Sequence, residues 1–124
     1  MTEKKELVIL LEPDEAVRSA ISSLLKQHGW QIDARGTAGD LDAAFRKHAP
    51  VALICESTLP GITSRQVLEV GNDNSIPVIF IGHRREIQEA VDLIHLGARD
   101  YMEKPFPQDR LVRILNSLTE ENSS

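Results

Sequence analysis

Acidic side chains and one lysine follow apolar runs of this sequence, and such groups could bind a cation or a phosphoryl group. Glu12 and Asp14 follow one apolar run, Glu56 follows another, and Lys104 follows a third. Mg²⁺ prefers hard oxygen ligands such as carboxylates, and a lysine offers a point charge to phosphate oxygens. These residues therefore predict a site for Mg²⁺ and a phosphoryl group, provided that the fold brings the ends of the apolar runs together.

The elements that must position these groups are five apolar runs alternating with five stretches of helical periodicity. The predicted strands are residues 7–11, 30–34, 51–55, 77–81 and 99–102. The predicted helices are residues 14–28, 37–49, 63–70, 84–96 and 108–118. Strict alternation with short connections predicts an α/β fold with a doubly wound parallel sheet. In such folds the functional site lies at the carboxyl ends of the strands.

Local signals indicate how several helices begin, end and pack. Asp14 suits a helix N-cap better than a metal ligand, Gly29 is placed to end the first helix, and Thr37 is expected to open the second. Trp30 begins a weaker strand that is expected at an edge of the sheet. The fourth helix carries an apolar stripe that is predicted to face inward: Ile87, Ala90, Val91 and Ile94.

Composition and charge limit the class of protein. The 124 residues are 41% hydrophobic and 4% aromatic, which suits a single domain whose core is aliphatic. We expect that domain to span residues 1–124, with flexible ends at 1–5 and 119–124. A net charge of −5 argues against direct nucleic-acid binding, because phosphate recognition needs a basic surface.

Cysteine usage and hydropathy favour a cytoplasmic protein that does not enter a membrane. Cys55 is the single cysteine and lies within an apolar run, so it is interpreted as a small core residue. The apolar run nearest the amino terminus, residues 7–11, is far too short to span a bilayer.

Three motifs carry a resemblance to a known family. Residues 97–106 read GARDYMEKPF, residues 12–18 read EPDEAVR after the first strand, and residues 59–61 read LPG after the third. In this order and spacing they resemble the receiver domains of bacterial two-component response regulators, over nearly the whole chain and without a gap. The resemblance implies a flavodoxin-like (βα)5 fold of three layers with strand order 2-1-3-4-5, and a role in phosphorelay signalling.

The sequence departs from the family at three of its key positions. Glu56 stands where the family has its phospho-accepting aspartate, and Pro13 stands where a second acidic residue ligates Mg²⁺. Gly82 stands where a serine or threonine contacts the phosphoryl group. Lys104 and the aromatic switch position Tyr101 are as the family has them. We therefore expect a degenerate pseudo-receiver that is not an enzyme and lacks ordinary aspartyl phosphorylation.

The altered site leaves several interpretations open. Glu56 could mimic a phosphorylated aspartate by reaching Lys104, or the two could form a merely structural pair. Alternatively, the domain could remain a competent phospho-acceptor that uses Ser57 or Asp14. Mg²⁺ is typical of the family but is not expected here, and no other cofactor is expected. If a metal did bind, its ligands would come from a small set at the strand ends: Glu12, Asp14, Glu56 and Thr58.

Partners are expected to be proteins, because the resemblance implies contact through the fourth helix, fifth strand and fifth helix. The expected contact residues are Ile87, Val91, His95, Tyr101 and Arg110. A homodimer, a covalently linked effector domain and a stand-alone adaptor all fit this expectation. His83, Arg84 and Arg85 could attract an anion, although such a run is more often a solvated helix start. The resemblance also suggests a cis peptide between Lys104 and Pro105.

A flavodoxin-like cofactor binder is a further alternative. It is not favoured, because no Ser/Thr/Gly-rich phosphate loop follows the first strand.

Overall fold

A computed structural model describes residues 6–83 and 87–123, with side chains described as far as residue 119. Strands and helices alternate along the chain. The strands are β1 Leu7–Leu11, β2 Gln31–Arg35, β3 Ala52–Glu56, β4 Val78–Gly82 and β5 Asp100–Glu103. The helices are α1 Glu15–Gln27, α2 Leu41–His48, α3 Ser64–Asp73, α4 Ile87–His95 and α5 Gln108–Ser123. The predicted alternation of five strands and five helices is confirmed.

The five strands form one parallel sheet in the order β2-β1-β3-β4-β5, as the resemblance implies. β3 pairs with both β1 and β4, and its residues are buried throughout, which explains its uninterrupted apolar sequence. β2 lies at one edge, where only β1 pairs with it. Because all strands run in the same direction, their carboxyl ends meet along one rim of the sheet.

Two hydrophobic cores fill the space between the sheet and the helices. Successive strand residues point to opposite faces, so Leu10 and Ile54 belong to the core that α1 and α5 cover. Ile9 and Leu53 belong to the core that α2, α3 and α4 cover. The molecule is therefore a three-layer α/β/α sandwich with aliphatic cores on both sides of the sheet.

Capping side chains determine where the helices begin, and one predicted start is wrong. Asp14 caps α1 by accepting the N–H groups of Ala16 and Val17, as predicted. Thr37 is not the N-cap of α2. Asp40 caps that helix instead, by accepting the N–H of Ala43. Aspartate and threonine are both good N-caps, so composition alone did not choose between positions three residues apart.

Two helix ends lie beyond their predicted positions. α3 begins after Thr63, as expected, but continues to Asp73, so the predicted loop at residues 71–75 starts later. Residue 71 of this helix is a glycine for a steric reason, because a Cβ there would lie only 2.5 Å from Cγ2 of Val78. α5 continues to Ser123 instead of ending at Leu118.

The apolar stripe of α4 faces outward, which contradicts the predicted packing. Ile87, Val91 and Ile94 are 60%, 45% and 43% exposed, whereas Leu93 is 1% exposed. Helical periodicity shows which side chains share a face, but it does not show which face meets the sheet. Leu93 is the side chain of α4 that enters the core beneath the helix.

Two further features concern the core and the length of the helices. Cys55 is a free, fully buried thiol, as its position in an apolar run predicts. Burial, followed by the nearby charge of Glu56, raises the pKa of this thiol above its ordinary range. Within residues 6–83 and 87–123, no helix combines the length and apolarity that crossing a membrane requires.

Candidate functional site

Two buried carboxylates and one lysine meet at the carboxyl rim of the sheet, and we call them the carboxylate–lysine centre (Glu12, Glu56 and Lys104). Lys104 Nζ lies 2.5 Å from Glu12 Oε1 and is also in ion-pair contact with Glu56 Oε2. Glu12 and Glu56 are only 1% and 5% exposed. The predicted contact between Glu56 and Lys104 is confirmed, but sequence reasoning missed that Glu12 shares the same lysine.

Backbone N–H groups hold the remaining carboxylate oxygens of the centre. The N–H of Asp14 donates to Glu12 Oε2 at 3.0 Å, and the N–H of Thr58 donates to Glu56 Oε1 at 3.3 Å. Glu56 Oε2 is buried and accepts no well-aligned hydrogen bond, so its contact with Lys104 is mainly an ion pair. Each carboxylate oxygen of the centre is therefore engaged by a group of the same chain.

The protonation of Lys104 follows from its surroundings. Burial lowers the pKa of this ammonium, but the contacts with Glu12 and Glu56 outweigh burial and raise the pKa above its ordinary value. Lys104 therefore remains charged at neutral pH. The centre combines two acidic side chains with one cation, so Lys104 offsets one of the two negative charges and is shared between them.

Local backbone contacts bring these side chains to the rim. The N–H of Lys104 donates to the carbonyl oxygen of Gly82 at 2.7 Å, which aligns the end of β5 with the end of β4. Arg18 Nη1 donates to the carbonyl oxygen of Glu12 at 2.8 Å and thereby fixes the turn from β1 into α1. The peptide between Lys104 and Pro105 is cis, as the resemblance suggests.

Pro13 and Asp14 are exposed, and neither side chain enters the centre, although the backbone N–H of Asp14 donates to Glu12. Asp14 Oδ1 accepts the N–H groups of Ala16 and Val17 at 2.9 and 3.1 Å, so this carboxylate serves the amino terminus of α1. The prediction that Asp14 acts as a helix cap is thus confirmed. Thr58 reaches the centre through its backbone N–H.

A hydroxyl contact links Tyr101 of β5 to the residue that follows Glu56. The Tyr101 hydroxyl donates to Ser57 Oγ at 3.1 Å, and Ser57 Oγ donates to Glu56 Oε1 at a long 3.5 Å. Sequence reasoning placed Ser57 at the rim but missed its contact with Tyr101. The sequence contained one signal for this contact, because the hydroxyl residue Ser57 directly follows Glu56. The structure adds that Ser57 is buried.

The backbone of Ser57 makes a second link that sequence reasoning also missed. Ser64 Oγ lies 2.5 Å from the carbonyl oxygen of Ser57 and 2.9 Å from Glu89 Oε1. A hydroxyl has a single hydrogen, so Ser64 donates to one of these acceptors at a time. Ser64 begins α3 and Glu89 belongs to α4, so this hydroxyl lies between the end of β3 and α4.

The predicted contact residues come together on a surface that we call the α4–β5 face. Six side chains line a depression of about 310 Å³ there: Ala90, Val91, Ile94, His95, Asp100 and Tyr101. Arg110 joins this surface because its Nη2 donates to both carboxylate oxygens of Asp100 at 3.2 and 3.0 Å. Ile87 lies on the same helix and is exposed.

A largely apolar cavity of about 460 Å³ adjoins the other side of Lys104. Val17, Ile21 and Leu24 of α1 line it, together with Phe106. His83 also lies on its wall and is exposed. The predicted basic cluster cannot be followed further, because Arg84 and Arg85 lie outside the described residues.

Only some of the candidate metal ligands come together in the structure. Among residues 6–83 and 87–123, no group of three or more His, Cys, Asp or Glu side chains is arranged to hold a metal ion. Of the four ligands considered from the sequence, Glu12 and Glu56 come together, whereas the side chain of Asp14 is engaged at the helix cap.

Comparison with known proteins identifies relatives over most of the chain. The family model for the response regulator receiver domain matches residues 8–116. The C4-dicarboxylate transport transcriptional regulatory protein DctD of Pseudomonas aeruginosa is 32% identical over 107 residues, which cover 85% of this chain and 23% of DctD. The response regulator protein TodT of Pseudomonas putida is 30% identical over 116 residues, which cover 90% of this chain and 50% of TodT.

A solved structure supports the same relationship. The receiver domain of NtrX from Brucella abortus superposes with a TM-score of 0.82 at 26% identity, covering 91% of this chain and 98% of that domain. The chain spans only about a quarter to a half of the length of DctD and TodT. By its sequence match, its strand order and the position of its rim residues, the chain belongs to the response regulator receiver domain family of two-component signalling.

Proposed function

We propose that this receiver domain is degenerate and signals through protein–protein contact, without ordinary Mg²⁺-dependent phosphorylation and without catalysis of its own. The observation that carries this proposal is the position of Lys104. Its ammonium contacts both Glu12 and Glu56 and so supplies a positive charge to these carboxylates from within the chain. Lys104 thus offsets one of the two carboxylate charges, and backbone N–H groups donate to both carboxylates.

The residues at this rim do not fit Mg²⁺ well. This ion demands a near-ideal octahedron of oxygen ligands, yet the carboxylate oxygens of Glu12 and Glu56 already accept contacts from Lys104 and from backbone N–H groups. Pro13 has no carboxylate, and Asp14 holds the amino terminus of α1. A cation at these carboxylates would therefore have to share them with Lys104, and we derive no step that uses one.

Glu56, at the phospho-acceptor position, also argues against ordinary phosphorylation. Glu56 is one methylene longer than aspartate, which moves its carboxylate relative to any phosphodonor, and group transfer depends strongly on alignment. Gly82 has no hydroxyl with which to contact a phosphoryl group. Together with Pro13, these residues alter the metal, acceptor and contact positions of one site.

The α4–β5 face supports the proposed mode of action. Exposed apolar side chains that lie together mark surfaces for protein contact, and Ile87, Val91 and Ile94 form such a group on α4. Asp100 and Arg110 provide a charged border. We propose a second copy of the domain or a covalently linked effector domain as the partner, since the chain matches only part of its longer relatives.

Phosphotransfer is tested by incubating the chain with acetyl phosphate and Mg²⁺, followed by intact-mass measurement. We expect no stoichiometric phosphoryl adduct. The matched control is the triple variant Pro13→Asp, Glu56→Asp and Gly82→Thr, which restores the family's residues and should gain an adduct. A metal-dependent adduct on the unmodified chain would overturn the proposal, and its location at Ser57 or Asp14 would establish the shifted-acceptor alternative.

The role of Glu56 is tested separately from phosphotransfer. Under phosphomimicry, Glu56→Gln weakens self-association or partner binding, because it removes the charge that holds Lys104. Under a purely structural pairing, the variant changes the free energy of unfolding and leaves association unchanged. Sedimentation velocity and urea denaturation on the same samples separate the two roles, and Glu12→Gln is the matched control.

The contact surface has its own test. Val91→Glu and Ile94→Glu should each abolish concentration-dependent association of the chain, since a charge on an apolar interface must be desolvated without a partner. Arg46→Glu, at an exposed position of α2 away from this face, is the control. Association that is unaffected by the α4 variants would show that the contact lies elsewhere.

A further inference from the structure

We propose that Ser57 is the positioning residue that couples the carboxylate–lysine centre to the α4–β5 face, by holding Tyr101 in its inward orientation. This coupling would take the place of the hydroxyl that Gly82 lacks. It rests on the proposed function, because it explains how a centre without phosphotransfer still determines the shape of a contact surface.

The first support is a directed chain of hydrogen bonds. The Tyr101 hydroxyl donates to Ser57 Oγ, and Ser57 Oγ donates in turn to Glu56 Oε1. Hydrogen bonds that follow one another in this way polarise each other, and a carboxylate at the end strengthens the series. The contact between Ser57 and Glu56 is long, but the N–H of Thr58 holds the same carboxylate oxygen in place.

The second support is the rigid placement of Ser57 itself. The residue is only 6% exposed, and its N–H donates to the carbonyl oxygen of Ile81 at 2.8 Å. Its carbonyl oxygen lies 2.5 Å from Ser64 Oγ, which also contacts Glu89 of α4. Ser57 therefore contacts Tyr101 of β5 directly, and the Ser64 hydroxyl lies between its carbonyl oxygen and Glu89 of α4.

The third support is the position of Tyr101. Its ring is partly buried against the core that α2, α3 and α4 cover, while the residue also lines the depression on the α4–β5 face. A side chain that bonds inward and borders the surface can transmit a change in either direction. If the bond to Ser57 is lost, the ring is free to change rotamer, and the depression changes shape.

The test uses Tyr101 as its own reporter, because it is the single tyrosine of the chain. Tyrosine labelled with ¹³C gives ring resonances from this residue alone. We expect Glu56→Gln to shift these resonances in the unmodified chain, and to shift them by less than half as much in a Ser57→Ala background. Ser57→Thr should restore the shift, because it retains the hydroxyl.

Two comparisons keep the result interpretable. Ser23→Ala, at an exposed serine of α1, should leave the response to Glu56→Gln unchanged. An undiminished response in the Ser57→Ala background would overturn the proposal. Should Ser57→Ala fail to fold, Tyr101→Phe breaks the same bond from the other end and should shift the amide resonance of Thr58, whereas an unmoved amide would contradict the coupling.

The measurement is independent of phosphotransfer. It needs neither phosphodonor nor metal, so an adduct in the acetyl phosphate experiment would end the proposed function and leave this result unaffected. Conversely, a failed coupling would leave the degenerate centre in place and remove only its connection to the surface.

Discussion

The carboxylate–lysine centre lies at the carboxyl rim of the sheet and the α4–β5 face lies along its β5 edge, and the two regions differ in which groups they leave available for a partner. In the centre, Glu12 and Glu56 are buried and share the ammonium of Lys104. On the face, Val91 and Ile94 expose more than two fifths of their surface. The polar groups of the centre thus contact partners within the chain, whereas the apolar side chains of the face are exposed to solvent.

This difference shows which region can gain most from a partner. A ligand at the centre would have to replace ion pairs and hydrogen bonds that already exist, so its net gain would be small. A protein that covers the α4–β5 face would remove apolar surface from water without breaking such contacts. The comparison therefore favours contact over chemistry, which is the basis of the proposed function.

The largest effect is expected at Lys104. Lys104→Ala leaves Glu12 and Glu56 buried side by side without a cation, and breaking a buried ion pair from one side costs about 3–5 kcal/mol of the free energy of unfolding. Urea denaturation at neutral pH measures this loss. Arg113→Ala is the matched control, because its exposed contact with Asp109 should contribute at most about 1 kcal/mol.

If Lys104→Ala lowers the free energy of unfolding no more than the control does, the contacts of Lys104 with Glu12 and Glu56 do not stabilise the centre as described. The contrast between the two regions would then disappear.

The second effect compares two residues of the same helix. Leu93→Ala should lower the free energy of unfolding by about 2–5 kcal/mol, because it leaves a cavity in the core beneath α4. Val91→Ala should change it by less than about 0.5 kcal/mol, since this residue is 45% exposed and lies outside the core. Thermal and urea denaturation provide the measurement, and equal losses would contradict the outward orientation of the stripe.

The third effect distinguishes a helix cap from a metal ligand. Asp14→Ala should cost about 1 kcal/mol, whereas Asp14→Asn should cost much less, because asparagine caps helices about as well as aspartate. Urea denaturation of both variants decides the matter. A large loss with asparagine as well would indicate that the charge of Asp14, and not its capping geometry, is what the domain uses.

The smallest expected effect is the change at alkaline pH in the stability that Lys104 contributes. The folded-state pKa of Lys104 is raised, so its contribution to stability is complete below the ordinary lysine pKa of about 10.4 and is lost as pH rises through the higher folded value. The stability difference between the unmodified chain and Lys104→Met should therefore shrink above that pH. A difference that grows with pH would reverse the assigned direction.

Much of this architecture could be predicted because the signals are local. The uninterrupted apolar run around Leu53 and Ile54 indicates a strand covered on both faces, and Asp14 carries the signature of a helix cap. The contact between Glu56 and Lys104 could also be anticipated, because Glu56 ends one parallel strand and Lys104 directly follows another. The choice of Asp40 over Thr37 as a cap did not follow, since both residue types suit that role.

The sequence by itself determined the order of elements, the sheet and the set of side chains that reach its carboxyl rim, because strand and helix periods are properties of neighbouring residues. Only the tertiary structure decided that Lys104 lies between Glu12 and Glu56, that Ser57 bonds Tyr101, and that the stripe of α4 faces solvent. These outcomes depend on distances between segments far apart in the chain. Packing of whole elements sets such distances, and no local pattern encodes them.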